Sequence, residues 1–318
     1  MAGQGRNTVA VVLEEPKRLA LRNLILAEPE AGDIVVDVEW SGISTGTERL
    51  LWSGDMPAFP GMGYPLVPGY EAVGRVVERG ASASVNIGDR VFVPGARCFG
   101  DVRGLFGGSA SRLVVPEKRS LPFDATLGEQ GVLFALAATA YHALAAPGAV
   151  MPGLIVGHGV LGRLLARIAI AMDAPAPTVW EKNPDRTKGA EGYDVIDPEA
   201  DPRRDYQAVY DVSGDGGLLN SLISRVARGG EVVLAGFYSA PLSFSFPPAF
   251  MREARLRVAA EWAEQDLYAV RALVEAGKLS LDRLITHRSP PDRCDLAYRT
   301  AFNDPDCLKM ILDWRAFS

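Results

Sequence analysis

Apolar positions in this chain fall into two regimes. As far as about residue 120 they come in short β-branched runs, Val9–Leu13, Ile34–Trp40, Ala72–Val77, Arg90–Val93 and Arg112–Val115, each followed within a few residues by Gly or Pro. Such runs predict strands joined by turns. Helical periodicity is nearly absent before Leu121. The segment Leu51–Tyr70, LWSGDMPAFPGMGYPLVPGY, stands apart. Its prolines and glycines exclude a helix or a central strand, leaving an ordered loop packed by its own aromatics or a binding surface.

From Gly128 the pattern changes. Glu129–Leu144 has a helical composition, Leu154–Val156 is a short buried strand, and Leu161–Met172 places Leu164, Leu165, Ile168 and Met172 at core spacing on a helix. Strands are expected at Thr178–Trp180, Asp194–Ile196, Ala208–Val212, Glu231–Ala235 and Arg255–Glu261, with a helix over Gly217–Val226. This alternation argues for an α/β fold with a doubly wound parallel sheet. A helix over Leu267–Glu275, short strands near Leu284–Thr286 and a final helix-like stretch complete a tail expected to fold back on the β-rich part.

Composition narrows the function classes. With 318 residues, roughly two domains are expected. Lys and Arg number 33 against 39 Asp and Glu, a net charge of −6 with no basic run, so no footprint for nucleic acid appears. Three cysteines make no disulfide framework. The N-terminus has no signal-like apolar run, and the longest apolar stretch, Val132–Tyr141, is far short of the ~20 residues that cross a bilayer. A cytoplasmic protein with reduced thiols and no transmembrane segment is expected.

The strongest local signal is LIVGHGVLGRLLARIAIAM, where Gly157, Gly159 and Gly162 form G-x-G-x-x-G between a strand and a helix. The first glycine permits the tight turn, the second the approach of a pyrophosphate, and the third close packing of helix on strand. Backbone N–H groups of His158, Val160 and Leu161 would then face the phosphates at the helix N-terminus. Glu181, at the end of the next strand, suits a ribose diol and would repel a 2′-phosphate, which favours NAD. Lys182 and Arg186 follow closely and keep NADP open.

The order of these features, with AATAYHAL before the first strand of the α/β region, GYPLVPGYEAVGRVVERG followed by IGDRVFV, and the tail LITHRSP…AFNDPDCLKMILDW, resembles the medium-chain dehydrogenase/reductase superfamily. The resemblance implies a GroES-like catalytic domain, residues 1–122 and 265–318, interrupted by a Rossmann domain, residues 123–264, with the active site in the cleft between them. It also implies Thr139, Gly236 and Phe237 at the nicotinamide and Lys309 at the pyrophosphate. Positions that hold zinc in metal-dependent members look here like Ser44, Tyr70 and Ala135. Hydroxyl and methyl groups do not replace thiolate and imidazole, so no metal is expected. Ser44, Thr45 and Thr47 lie where the family's proton-relaying hydroxyl is found, Thr47 matching best if one residue is inserted; Tyr70 and Glu71 replace and follow the zinc histidine, and Glu48 is near in sequence. Of these, Ser44, Thr47, Tyr70 and Glu71 are the candidate catalytic residues, and each of the set has an alternative role in turn geometry, ion pairing or packing.

Two long stretches, SGISTGTERLLWSGDMPAFPGMGYPLVPGYE and GEVVLAGFYSAPLSFSFPPAFMREARLRVAAEW, resemble a bacteriochlorophyll-pathway branch of that superfamily. That resemblance implies NAD-dependent oxidation of a 3-(1-hydroxyethyl) group on a tetrapyrrole to acetyl, in the biosynthesis of a photosynthetic pigment. A zinc-free quinone or enone reductase and a non-catalytic dinucleotide-binding protein are the alternatives. A homodimer is expected by analogy.

Overall fold

The computed structural model describes residues 6–317. Residues 1–5, on which the expectation of a missing leader rests in part, and residue 318 lie outside the described residues. In chain order the first elements are β1 (Asn7–Glu15), β2 (Arg18–Ile25), β3 (Asp33–Ile43), α1 (Thr47–Ser53), β4 (Leu66–Val67), β5 (Ala72–Arg79), β6 (Arg90–Val93), β7 (Arg103–Gly104), β8 (Arg112–Pro116) and β9 (Leu121–Pro122). Then come α2 (Phe134–Ala145), β10 (Leu154–Val156), α3 (Val160–Ala171), β11 (Thr178–Trp180), β12 (Asp194–Ile196), β13 (Tyr206–Asp211), α4 (Leu219–Arg225), β14 (Val226–Leu234), α5 (Phe246–Arg252), β15 (Arg255–Val258) and α6 (Glu264–Glu275). The tail adds β16 (His287–Ser289), α7 (Cys294–Asn303) and β17 (Met310–Asp313).

The chain forms two compact units, Met1–Ala135 with Leu284–Ser318, and Leu136–Arg283. The boundaries therefore fall at 135/136 and 283/284, against the expected 122/123 and 264/265. The stretch 264–283 is tied to the second unit by hydrogen bonds. His142 Nδ1 on α2 meets Asp266 Oδ2 at 2.8 Å, and Arg167 on α3 donates to the carbonyls of Ser280 and Asp282 at 3.0 Å each.

The first unit holds a four-stranded sheet in the order β2-β1-β4-β7 and a seven-stranded sheet in the order β16-β17-β3-β5-β6-β9, with β8 also paired to β3. Val35, Val36, Val38, Leu113, Val115, Leu312 and Trp314 lie in its core. The tail returns as β17, antiparallel to β3 with Met310 opposite Ile43. The expected helix-like stretch of the tail is α7, after which the chain adds β17, and the strand near 284–286 begins instead at His287.

The Pro/Gly-rich segment 51–70 is corrected at both ends. Leu51–Ser53 close α1, and Leu66–Val67 form a short strand paired with β1 and β7. Leu51, Met56 and Leu66 pack with Leu13 and Leu105, with Trp52, Met62 and Tyr64 against them. Phe59, 37% exposed, is the large apolar side chain that this packing leaves outside. An ordered loop held by its own side chains is what forms.

The second unit is a six-stranded parallel sheet, β12-β11-β10-β13-β14-β15. α5 is absent from the sequence reading because Pro247 and Pro248 look like breakers; they sit in its first turn, where proline removes no helical hydrogen bond. Among the described residues no helix is long and apolar enough to cross a membrane.

Candidate active site

In the second unit, strand register decides which loops meet. Val156 lies beside both Trp180 and Asp211, and Asp211 beside Leu234. The segments that follow these strands, beginning with Gly157, Glu181, Val212 and Ala235, therefore emerge at one carboxyl edge of the sheet, where open α/β sheets bind ligands. Gly157 has φ +105°, a left-handed conformation that side chains disfavour. A Cβ on Gly162 would lie 1.9 Å from the Gly157 carbonyl oxygen, whereas one on Gly159 meets nothing within 4 Å. The loop is thus tight where it turns and open where a ligand would approach. No side chain caps the N-terminus of α3, so its dipole end at Val160, Leu161 and Gly162 is available to an anion.

Glu181 is half-buried and already oriented. Its Oε2 accepts the His158 N–H at 3.2 Å and its Oε1 the Asn183 N–H at 2.8 Å. The His158 side chain is buried, with Nδ1 2.6 Å from the Arg186 carbonyl and Nε2 2.9 Å from the Tyr193 hydroxyl. The carbonyl can only accept, so the proton sits on Nδ1. Burial lowers the imidazole pKa to about 4 and keeps the ring neutral. Arg163 adds bonds to the carbonyls of His158, Arg186 and Lys188 at 3.0, 3.0 and 2.7 Å. His158 and Arg163 therefore clamp the segment after β11 onto the glycine loop. Sequence reasoning gave His158 only a backbone role and did not find Arg163 or Tyr193; an arginine on the buried face of α3 was the available signal.

Lys182 is exposed, Thr139 is half-buried on α2, and Phe237 is 49% exposed. Gly236 donates its N–H to the Asp211 carbonyl at 3.0 Å. Asp211, buried at the end of β13, accepts the Tyr238 hydroxyl at 2.7 Å and the Ser213 N–H at 2.9 Å. This pairing at the same sheet edge is also absent from the sequence reading.

In the first unit a second cluster forms where β3 ends and β5 begins. The two strands are antiparallel with Ser41 opposite Ala72, and the Gly42 N–H donates to the Glu71 carbonyl at 2.9 Å. This register brings Ser44 and Tyr70 together, with Ser44 Oγ 2.7 Å from Tyr70 Oη. Thr47, in the first turn of α1, has its side chain near the Tyr70 hydroxyl. Phe106 packs edge-on against the Tyr70 ring at 5.4 Å. Burial, with Glu71 nearby, pushes the Tyr70 phenol well up, so it is a neutral hydroxyl at any physiological pH. Three of the four candidate hydroxyl or acid residues thus converge.

Glu71 and Lys309 do not behave as expected. Glu71 is fully buried and Lys309 is 2% exposed. The ammonium donates to both Glu71 oxygens at 2.8 and 2.6 Å and to the Ile43 carbonyl at 3.2 Å. A Cβ on Gly42 would stand 1.9 Å from the Glu71 carboxylate, so glycine is what admits it. With its donors spent inside the first unit, Lys309 is an internal counterion rather than a pyrophosphate ligand. Glu71, closed from solvent and paired, is likewise the structural ion-pair partner and not a free proton acceptor.

The residues at the family's zinc positions do not suit zinc. Ser44 and Tyr70 hydrogen-bond each other, and Ala135 offers no donor atom. Among the described residues no group of three or more His, Cys, Asp or Glu could hold a metal ion.

Residues 30–125 match the alcohol dehydrogenase GroES-like domain. The chain is 58% identical over 314 residues to the 2-desacetyl-2-hydroxyethyl bacteriochlorophyllide A dehydrogenase of Cereibacter sphaeroides, covering 97% of this chain and 99% of that one. It is also 58% identical over 309 residues to the protein of the same name from Rhodobacter capsulatus, covering 97% and 98%. Among solved structures, a short chain alcohol dehydrogenase from Escherichia coli CFT073 complexed with the cofactor NADH superimposes with a TM-score of 0.82 over 97% of this chain and 100% of that one, at 19% identity.

Proposed function

The chain belongs to the family of 2-desacetyl-2-hydroxyethyl bacteriochlorophyllide A dehydrogenases, within the medium-chain dehydrogenase/reductase superfamily, and we propose that it oxidises the hydroxyethyl substituent of a bacteriochlorophyllide to acetyl with NAD+. The near-full-length 58% identity carries this reading. Bound NAD+ would supply the hydride acceptor. Gly157, Gly159 and Gly162, with the N-terminus of α3, would hold its pyrophosphate. Glu181, fixed by two backbone N–H groups, would accept the ribose hydroxyls and disfavour a 2′-phosphate. Thr139, Gly236 and Phe237 are assigned to the nicotinamide side.

The substrate's carbinol carbon is attached to a conjugated macrocycle, which spreads positive charge as hydride leaves. The remaining task is the hydroxyl proton. Tyr70 stays a neutral phenol, so it acts not as a base but as a relay that, with Ser44 and the half-exposed Thr47, hands the hydroxyl proton on to bulk water as NADH forms. Oxidation by this route uses no zinc. We assign the reaction to the cytoplasm; the three free, buried cysteines are compatible with a reducing compartment. A homodimer is supported by edge strand β15, where Val258 is 74% exposed, next to the exposed Phe246, Phe250 and Met251.

The test is an absorbance assay of metal-analysed protein with NAD+ and the hydroxyethyl pigment. A red shift of the pigment band with equal NADH formation is expected; no shift with NAD+ or NADP+ overturns the reading. Tyr70→Phe is expected to lower kcat about 10-fold or more with KM for NAD unchanged.

A further inference from the structure

Beneath the Ser44–Tyr70 pair lies a carboxyl group outside the four candidate catalytic residues. Glu48, the second residue of α1, is 1% exposed. Both of its oxygens are used, Oε1 by the Ser44 N–H at 3.0 Å and Oε2 by the Tyr298 hydroxyl of α7 at 2.6 Å. Tyr298 is itself 1% exposed. Among the described residues Glu48 makes no ion pair: the near cation, Lys309, is taken by Glu71. A buried carboxyl of this kind is costly, and an apolar side chain would pack the same space. What Glu48 does is close the turn 44–48 on itself, holding the backbone of Ser44, whose hydroxyl meets Tyr70, with Thr47 one residue before it.

We propose that Glu48, braced by Tyr298, is a positioning residue for the Ser44–Tyr70–Thr47 hydroxyl cluster, and that its ionised form is the one that sets this cluster for turnover. The inference rests on the dehydrogenase reading above. When Glu48 is charged, both of its hydrogen bonds are charge-assisted and stiffer, and its negative field favours a proton entering the hydroxyls. The groups facing it are Ser44 from the β3–α1 turn, Tyr298 from α7, Glu71 ahead of β5 and Lys309 ahead of β17. Burial raises the Glu48 pKa to about 7; the bonds from Tyr298 and Ser44 and the charge of Lys309 oppose the rise, and Glu71 adds to it. Glu48 thus holds its proton to higher pH than an ordinary carboxyl, and a change of its charge falls near neutral pH.

The experiment is the kcat–pH profile of the wild-type protein, Glu48→Gln and Tyr298→Phe, with NAD+ and the hydroxyethyl bacteriochlorophyllide, alongside infrared difference spectra of the carboxyl band without substrate. Wild-type kcat is expected to rise through a limb near pH 7. Glu48→Gln, which keeps an acceptor for Ser44, is expected to lose the limb and to run about 5-fold below the wild-type plateau, the difference between a charge-assisted and a neutral hydrogen bond. Tyr298→Phe removes a bond to the charged form and is expected to move the limb to higher pH. The protonated carboxyl band is expected to fade with the same midpoint and to be missing from Glu48→Gln. Turnover with an unaltered limb in Glu48→Gln, or a Glu48 charged throughout the range, overturns the inference alone. No turnover in the wild type overturns the reading it rests on.

Discussion

The two candidate regions are built from different materials. In the second unit the glycine loop is a backbone device: Gly157 takes a left-handed turn, Gly162 admits the Gly157 carbonyl at contact, and the N-terminus of α3 points its N–H groups outward. In the first unit the cluster is made of side chains from residues far apart in sequence, Ser44 and Tyr70 above, Glu48 and Tyr298 below, Glu71 and Lys309 beside them. A backbone site fails when a Cβ is added. A side-chain site fails when a partner is removed and a buried polar group is left behind.

The largest effect is expected from Lys309→Met. It leaves the Glu71 carboxylate buried without its counterion, and breaking such a pair costs about 3–5 kcal/mol. Urea unfolding is expected to show that loss while NAD affinity, read by fluorescence titration, stays the same. A weakened NAD affinity at unchanged stability would return Lys309 to the pyrophosphate and blur the contrast between the regions.

Gly162→Ala is the converse. The added Cβ would meet the Gly157 oxygen at 1.9 Å, so the loop must shift. NAD affinity, read by fluorescence titration, is expected to drop about 100-fold, ~2.7 kcal/mol. Retained affinity would mean that the loop is not the phosphate cradle.

The smallest effect concerns acidity, and its sign differs between the regions. Glu48 holds its proton in the folded chain up to about pH 7, but an unfolded chain releases it near 4.5. The folded state binds more protons between these values, so its stability falls as pH rises through them. His158 has a pKa of about 4 in the fold against 6.5 unfolded, so its burial costs stability as pH falls from 6.5 toward 4. Glu48→Gln is expected to flatten the first slope and His158→Gln the second, the latter at a cost of about 1 kcal/mol at pH 7 for a lost hydrogen bond. Midpoints of urea unfolding between pH 4 and 8 check both; parallel slopes in the two variants would sink the assignment.

Much of the second unit is legible along the chain because its signals are local. Leu154–Val156, Gly157, Gly159, Gly162 and the apolar face of α3 lie within twenty residues, and Gly157 and Gly162 each answer a backbone requirement that only glycine meets. The outer strand β2 and the helix α5 escaped for physical reasons. β2 is an edge strand with Arg18, Arg22 and Asn23 exposed, so it lacks an apolar run; α5 begins with two prolines that a first turn tolerates.

By itself the sequence determined the α/β class, the order of strands and helices around the glycine loop, the acid after the second Rossmann strand and the hydroxyl character of the positions where relatives hold zinc. Only the tertiary structure decided that Lys309 serves Glu71, that Tyr298 braces Glu48 from a position 250 residues away, and that Ser44 meets Tyr70. The physical reason is that a hydrogen bond or ion pair between distant residues depends on strand register, here β3 against β5 and β17, and register is set by the packing of whole sheet faces rather than by the residues that meet.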